Sequence, residues 1–495
     1  MKTRDWVTFT LNGVVKEVRG EWIFKTLSDY LRYERRLTGT KVVCAEGDCG
    51  ACTVLRSPVG LGSAKPRFEA INSCIALVGQ MDGSALVTIE GLGTLDRMNP
   101  VQESMMKSHG SQCGYCTPGF VVAMTWMLEK GKLVDERAVK NHTTGNLCRC
   151  TGYQPIVEAG LQAGKLRDQD PKAFESQTTL KRYLPGTQKK ELEKAVKKPV
   201  QIVLKEDPLG LGLRYFYAPT TLKELAWVRK KYPNSTILGA STDLGVVFNK
   251  GKRDLRHLVS LHLIQELYAV KKTPKGLAVG ARVTLSDLRR AFEKEGANAL
   301  AQSLDLFASP QIKNSATLSG NIANASPIGD TPPVLLAMGA DVLVLRSKTG
   351  KQEWIPLDRF FLGYRKTALK PGDVLLKTRI PLPKKGEYFQ FFKNSQRKDL
   401  DISCVSCAVW SKADRSAVRI AFGGVAATPY RAKAIEKELA LKKGQKTWSL
   451  PQLQSAMKTL QDQIQPVTDL RGSTAYRRIL AEGILRKILN EIPTS

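Results

Sequence analysis

Histidine is scarce in this chain, with four among 495 residues. His109, His142, His257 and His262 show no ligand spacing, so a histidine-built metal centre and a Ser–His–Asp site are not expected. No apolar run is long enough to span a bilayer, and no signal peptide is apparent. Both absences lead us to expect a cytoplasmic protein with no membrane partner and with reduced thiols rather than disulfides. No G-x-G-x-x-G follows a strand and opens a helix. Gly91-x-Gly93 and Gly210-x-Gly212 lack the third glycine, so the residues by themselves indicate no Rossmann-type dinucleotide site. Neither an internal repeat nor a low-complexity tract is present. Acidic residues are outnumbered, 46 against 76 Lys and Arg, for a net charge of +30. The basic residues are dispersed, densest in 180–205 and near the C-terminus, without a groove-reading helix or an aromatic-studded platform. No nucleic-acid partner is expected from that pattern. It reads as a solvated basic surface that faces an acidic partner or steers an anionic ligand. An iron–sulfur or zinc protein that binds nucleic acid is the alternative, and strongly salt-sensitive DNA binding would mark it.

Cysteine is what the chain has in a pattern. Eight of its ten cysteines fall in two runs: Cys44-x4-Cys49-x2-Cys52 with Cys74, and Cys113-x2-Cys116 with Cys148-x-Cys150. Two sets of four thiolates suit two iron–sulfur clusters, and the first triple has the plant-type [2Fe–2S] spacing. Structural zinc is the competing reading, but the x4-x2 triple and the C-x-C pair are poor zinc-finger spacings. In CAEGDCGACTVL a short loop must wrap an anionic group, and Gly47 and Gly50 supply positive φ and close approach. Upstream, VTFTLNGVVKEV predicts a hairpin around Asn12-Gly13, and Leu27 to Arg36 predicts a helix. Asn99-Pro100 and Thr117-Pro118 each read as an N-cap followed by proline, and Pro155 as a further helix start. The second quartet is therefore expected between helix ends, where free N–H groups favour negative charge. Cys404 and Cys407 fall in a predicted strand and read as inert core thiols.

Longer motifs carry a family resemblance. Gln112–Gly119 (QCGYCTPG) and Gly145–Tyr153 (GNLCRCTGY) closely resemble the helical iron–sulfur segment of the molybdenum hydroxylases, the family of xanthine dehydrogenase, aldehyde oxidase and carbon monoxide dehydrogenase. Ile237–Leu244 (ILGASTDL) and Phe307–Asp330 (FASPQIKNSATLSGNIANASPIGD) resemble its FAD-binding signatures. Phe361–Thr367 (FLGYRKT) and Ala421–Pro429 (AFGGVAATP) are similar to later stretches of its flavin subunit. The resemblance implies a multidomain α+β chain: a β-grasp ferredoxin-like domain (1–90), a helical [2Fe–2S] domain (91–165), a linker with one short helix (166–210), an α+β FAD-binding domain (211–383) and a C-terminal α+β domain (384–495). Thr221 and Glu224 predict a capping box, and TILGA and ADVLVLRS predict strands. Further strands are expected near 386–394, 402–410 and 416–423, with helices after them.

By resemblance, Cys44, Cys49, Cys52 and Cys74 hold one cluster and Cys113, Cys116, Cys148 and Cys150 the other. FAD is expected on Ile237, Leu238, Gly239, Ala240, Ser241, Thr242, Asp243, Leu244, Phe307, Thr317, Leu318, Ser319, Gly320, Asn321, Asp330, Leu375 and Lys393. The small-residue runs suit a pyrophosphate, which needs backbone N–H donors at close range. Two departures stand out. Ser319 replaces a glycine common in the family, and Leu400-Asp401 replaces the paired acidic residues often found in the loop flanking the flavin. With no molybdenum domain after the flavin region, the chain resembles the small subunit of a two-subunit xanthine dehydrogenase. That implies a molybdopterin-binding large subunit as partner in an α2β2 assembly, with Gln112 touching its pterin. The implied function is an electron relay in hypoxanthine and xanthine oxidation: partner, second cluster, first cluster, FAD and then NAD. The same relay in an aldehyde or other N-heterocycle hydroxylase is the alternative. Hydroxylation itself would need no catalytic residue from this chain.

Overall fold

A computed structural model describes residues 3–62, 66–205, 212–251, 255–397, 400–442 and 445–492. Asn12 and Gly13 both adopt positive φ (47° and 83°), as a two-residue hairpin turn requires. Five strands, β1 (Val7–Leu11), β2 (Val14–Val18), β3 (Thr53–Pro58), β4 (Glu69–Asn72) and β5 (Ser84–Val87), form a mixed sheet ordered β2-β1-β5-β3-β4. β1 and β5 run parallel, and Leu27–Asp29 opens a helical stretch that runs on as a π-helix over Tyr30–Glu34. This is the expected β-grasp arrangement. A buried ion pair locks it: Arg4 donates to both oxygens of Asp82 (3.0 and 2.7 Å), which also accepts the Thr8 N–H at 2.6 Å.

The helical part follows. Pro100–Lys107 opens on Asn99 as cap with proline at its start, as the sequence predicts, and Gln102 completes a reciprocal capping box. Helix Thr117–Glu129 differs from expectation by one residue. The Cys116 carbonyl takes the Phe120 N–H, so Cys116 is the cap, and the Thr117 hydroxyl pairs with Ser111 instead. Helix Gln154–Gln169 begins one residue before the expected Pro155, after Tyr153 in the left-handed region (φ 73°).

The charged stretch beyond it departs from the expected linker. Three helices form, Pro171–Ser176, Thr179–Tyr183 and Gly186–Ala195; the neighbouring Asp170 caps the first through the Ala173 N–H, and contacts with distant segments hold the other two. The Glu129 carboxylate accepts the Thr179 N–H and O–H (2.8 and 2.6 Å). Tyr183 donates its hydroxyl to the Gly91 carbonyl, and Gln188 its amide to that of Gly13. A second sheet, β6 (Val200–Leu204), β7 (Arg214–Ala218), β8 (Thr236–Leu238) and β9 (His257–Ser260), is ordered β6-β7-β9-β8. Thr221 caps the helix Leu222–Lys231, but the Glu224 carboxylate returns to the N–H of Thr220 rather than Thr221.

The chain forms two compact units, Met1–Glu266 with Ser309–Ala316, and Leu267–Ala308 with Thr317–Ser495. In the second, strands β10 (Val270–Thr273), β11 (Gly276–Gly280), β12 (Asp341–Leu345) and β13 (Gln352–Pro356) precede a small pair, β14 (Phe361–Gly363) and β15 (Lys366–Thr367). With β16 (Val374–Ile380) the first four make an antiparallel sheet ordered β10-β11-β16-β12-β13. Strands β17 (Tyr388–Asn394), β18 (Val405–Ser411), β19 (Val418–Gly423) and β20 (Tyr430–Arg431) form the last sheet, with helices Lys433–Leu439, Leu450–Gln463 and Thr474–Glu491 after it. Val405, Val409, Ile420 and Phe422 of that sheet share a core with Ile484, Leu485 and Ile488. Cys404 precedes β18 rather than lying in it, and both it and Cys407 are buried in that same core. Among the described residues no helix is long and apolar enough to cross a membrane.

Candidate iron–sulfur and flavin sites

The first four cysteines meet around the loop between the first helix and β3. Cys44 Sγ accepts backbone N–H groups of Glu46 and Cys49 (3.3 and 3.4 Å), which the positive φ of Ala45 and Gly47 turns inward. Such a nest of amides favours an anionic group. The thiols are within hydrogen-bonding reach of one another. Bonds from Cys49 and Cys74 hold Cys44 far below the ordinary thiol range, and the same contacts push Cys49 and Cys74 far above it. Crowded thiols that must share protons in this way suit a site where metal displaces those protons. Cys49, Cys52 and Cys74 are buried and Cys44 is partly so.

The second quartet forms likewise but nearer the surface. Cys116 lies against Cys148 and is pushed up to about 12, by burial first and then by that neighbour. The bond with Cys113 raises Cys150. Cys113 and Cys150 are exposed, and so is Gln112 beside them. Among the described residues no group of three or more His, Cys, Asp or Glu is placed to hold a single metal ion. A binuclear cluster does not ask for one, since its four thiolates are divided between two irons. Both donor sets fit [2Fe–2S] groups.

The expected flavin residues fall in both units. In the first, Ile237 and Leu238 end β8, and Gly239–Asp243 form a loop before helix Leu244–Asn249. Ser241 sits at φ 63°. Its hydroxyl is donated to Gln80 Oε1, and Gln80 Nε2 returns to the Gly239 carbonyl at 3.2 Å. The Ser241 hydroxyl is therefore directed into the protein, whereas Ala240 and Thr242 are half-buried and Asp243 is exposed. Asn249, at the end of the following helix, donates to the carbonyls of Ala45 (2.7 Å) and Cys74 (2.8 Å).

In the second unit Thr317 caps helix Leu318–Asn324 through the Gly320 N–H. Asn321 Oδ1 accepts the Thr331 hydroxyl at 2.6 Å. Ser319 lies in ordinary helical backbone, so a serine is accommodated there without backbone strain. Its buried hydroxyl has no partner among the described residues, which suits a loop that receives a ligand oxygen. Phe307 is half-buried. Asp330 and Lys393 pair at 2.8 Å, the lysine also donating to the Leu306 carbonyl and Ser403 to Asp330. Burial raises the Asp330 carboxyl although Lys393 opposes it. Leu375 is buried in β16 at a register shift opposite β12. In the loop expected to flank the flavin, Asp401 accepts the Arg397 N–H and Leu400 has φ 60°. Lys398 and Asp399 lie outside the described residues.

Residues 88–161 match the family described as a [2Fe-2S] binding domain, and residues 211–383 the FAD binding domain in molybdopterin dehydrogenase. Residues 390–492 match the CO dehydrogenase flavoprotein C-terminal domain. Xanthine dehydrogenase of Emericella nidulans is 33% identical across 99% of this chain and 39% of its own length. The chain belongs to the molybdenum hydroxylase family. Xanthine dehydrogenase/oxidase of Gallus gallus is 32% identical over 93% of this chain and 38% of its own, so the chain spans about two fifths of these relatives. Among solved structures, carbon monoxide dehydrogenase from Hydrogenophaga pseudoflava aligns with TM-score 0.52 and 26% identity, over 56% of this chain and 95% of that one. Quinoline 2-oxidoreductase from Pseudomonas putida 86 shares the fold (TM-score 0.50, 24% identity, 56% and 95% coverage). This member of the family carries [2Fe–2S]-binding and FAD-binding domains of the oxidoreductase type.

Sequence reasoning passed over Gln80, Asn249, Asn146 and Gln311. The first two lie outside every motif. The other two lie inside motifs whose resemblance assigned them no role of their own.

Proposed function

We propose that this chain is the electron-transfer part of a xanthine dehydrogenase-like enzyme, connecting a molybdopterin site on a partner subunit to FAD and then NAD. Purines, hypoxanthine and xanthine, are the substrates this reading assigns to the partner, in an α2β2 assembly in the cytoplasm. The carrying observation is the pair of cysteine quartets, each drawn together in the unit that also holds the Gly239–Asp243 loop. The clusters would supply one-electron carriage and the flavin the exchange between single electrons and hydride. The protein's own share is positional. Backbone amides of Glu46 and Cys49 stabilise sulfur charge at Cys44, and Asn249 ties the loop of the first quartet to the helix after the proposed flavin loop. The exposure of Cys113, Cys150 and Gln112 supports a partner docked over the second quartet. The domain limits 1–90, 91–165, 211–383 and 384–495 are kept as the working division.

The test is iron, sulfide, zinc and flavin analysis of anaerobically purified protein, with EPR after dithionite reduction and NADH oxidation by artificial dyes. Four irons, one FAD, two distinct signals and dye reduction without purine turnover are expected. Zinc without labile sulfide, or no flavin, would overturn the reading. Purine turnover by the single chain would remove the partner from it.

A further inference from the structure

Residues Ser309–Ala316 stand within the sequence that resembles a flavin signature, yet they pack with the unit that holds both cysteine quartets. Gln311 is only 1% exposed. Its Nε2 donates to Asn146 Oδ1 at 2.8 Å, and Asn146 Nδ2 donates to the Gly50 carbonyl at 3.1 Å. Gly50 follows Cys49 in the loop of the first quartet, and Asn146 lies two residues before Cys148 of the second. Alongside, the Leu147 N–H bonds the Cys49 carbonyl at 3.0 Å. Gln311 thus stands where the two cysteine loops touch.

The junction has no slack. A Cβ on Gly145 would lie 2.1 Å from Gln311 Oε1, and a Cβ on Gly50 would lie 2.2 Å from the Gly145 carbonyl oxygen. Ile312 fixes the same segment from the other side, packing with Cys52, Cys74 and Ile75. Asn314 anchors its end on the Ala70 carbonyl at 2.9 Å. A hydrocarbon side chain could fill this volume without a buried amide. Gln311 instead buries one whose Oε1 has no partner among the described residues, an arrangement disfavoured for packing alone.

We propose that Gln311 is a positioning residue that sets the separation of the two clusters, acting through Asn146 on Gly50. The proposal rests on the reading that both quartets hold [2Fe–2S] groups. Separation matters because electron tunnelling decays exponentially with distance. It can also be measured, because the magnetic coupling of two paramagnets falls with the cube of their distance.

The test is EPR of fully reduced wild type, Gln311→Met and Gln311→Asn at temperatures low enough to resolve the splitting between the clusters, with iron and sulfide counted in each sample. Methionine keeps the length and loses the hydrogen bond, and asparagine keeps the amide but falls a methylene short. The expected result is full iron and sulfide in both variants with an altered splitting. An unchanged splitting at full iron overturns the proposal, whatever happens to thermal stability. Loss of iron from one cluster also overturns it, since Gln311 would then be retaining a cluster rather than spacing two. If Gln311→Met does not fold, Gln311→Asn decides by the same criteria. Wild type lacking four irons would instead refute the underlying reading, which keeps the two failures distinct.

Discussion

Gly119→Ala separates two properties of glycine that usually act together. Gly119 lies in the first turn of helix Thr117–Glu129, with a backbone that any residue can adopt. By helix propensity alone, alanine should stabilise by about 0.5–1 kcal/mol. However, the added Cβ would fall 2.4 Å from the Gly50 carbonyl oxygen, 3.0 Å from Asn146 Nδ2 and 3.2 Å from Ala51 Cα. Two of these three atoms are backbone of the loop that carries Cys49 and Cys52. That carbonyl is also held by the N–H and O–H of Thr53 (3.1 and 2.6 Å), so it cannot swing away without breaking them. Overpacking at a well-filled site costs about 1–3 kcal/mol, which leaves a net loss of about 0–2.5 kcal/mol, centred near 1, once the propensity gain is subtracted.

Gly483→Ala is the matched control, because it too sits in a helix, Thr474–Glu491, and its Cβ would meet nothing within 4 Å. It should gain the full propensity term of about 0.5–1 kcal/mol. Differential scanning calorimetry of both variants against wild type, with iron content measured in each, reads the contrast. Opposite signs are expected. If Gly119→Ala is stabilised as much as Gly483→Ala, the Gly119–Gly50 approach is not a rigid contact and the account of the junction fails.

Arg4→Met should cost about 3–5 kcal/mol, read by denaturant unfolding, because it strands a fully buried carboxylate at Asp82; a loss below about 1 kcal/mol, the worth of a surface pair, would refute that. Lys393→Met should show a pH-dependent loss. Burial already holds the folded Asp330 carboxyl above its usual value, so its contribution to stability is full at low pH and declines as pH rises through the folded value. Removing the ammonium raises that value further, and the deficit against wild type should grow from acid to neutral pH; a deficit that does not vary with pH would count against the pairing. Tyr183→Phe removes the bond to the Gly91 carbonyl at a cost of about 1 kcal/mol, and should speed proteolytic cleavage within 171–198 while leaving the C-terminal unit equally resistant.

The legible parts of the fold are those decided within a few residues. The Asn12-Gly13 turn, the Asn99-Pro100 helix start and the glycine-turned loop at Cys44–Cys52 all depend on local φ values and near-neighbour hydrogen bonds, and all form as read. The start at Thr117 slipped by one because a cysteine carbonyl can open a helix as well as a threonine can. The stretch 179–195 reads as irregular because its two helices are held by distant partners, Glu129, Gly91 and Gly13, which no window around them contains, whereas the Asp170 cap before Pro171 is a local signal that the reading passed over. The same limit applies to the residues proposed to hold the flavin. Lys393 and Asp330 were both expected there and do meet, but nothing in the spacing tells that the Ser241 hydroxyl turns inward to Gln80.

Glycines of ordinary backbone carry more of this arrangement than the conspicuous left-handed ones. Gly47 and Gly50 have positive φ, so their need for glycine is local and explains how one loop bends. Gly119 and Gly145 have no such need. Each lacks a side chain because an atom of another segment occupies the place of its Cβ: the Gly50 carbonyl oxygen for Gly119, and Gln311 Oε1 for Gly145. Cysteine spacing identifies which residues can ligate within each loop, but it carries no information about how near the two loops lie. That information resides in glycines 119 and 145, which are far apart along the chain and close on the Gly50 carbonyl and on Gln311. A glycine whose φ does not require it, close in sequence to a metal-binding cysteine, is therefore the sequence signal to follow when two cofactor loops must approach one another.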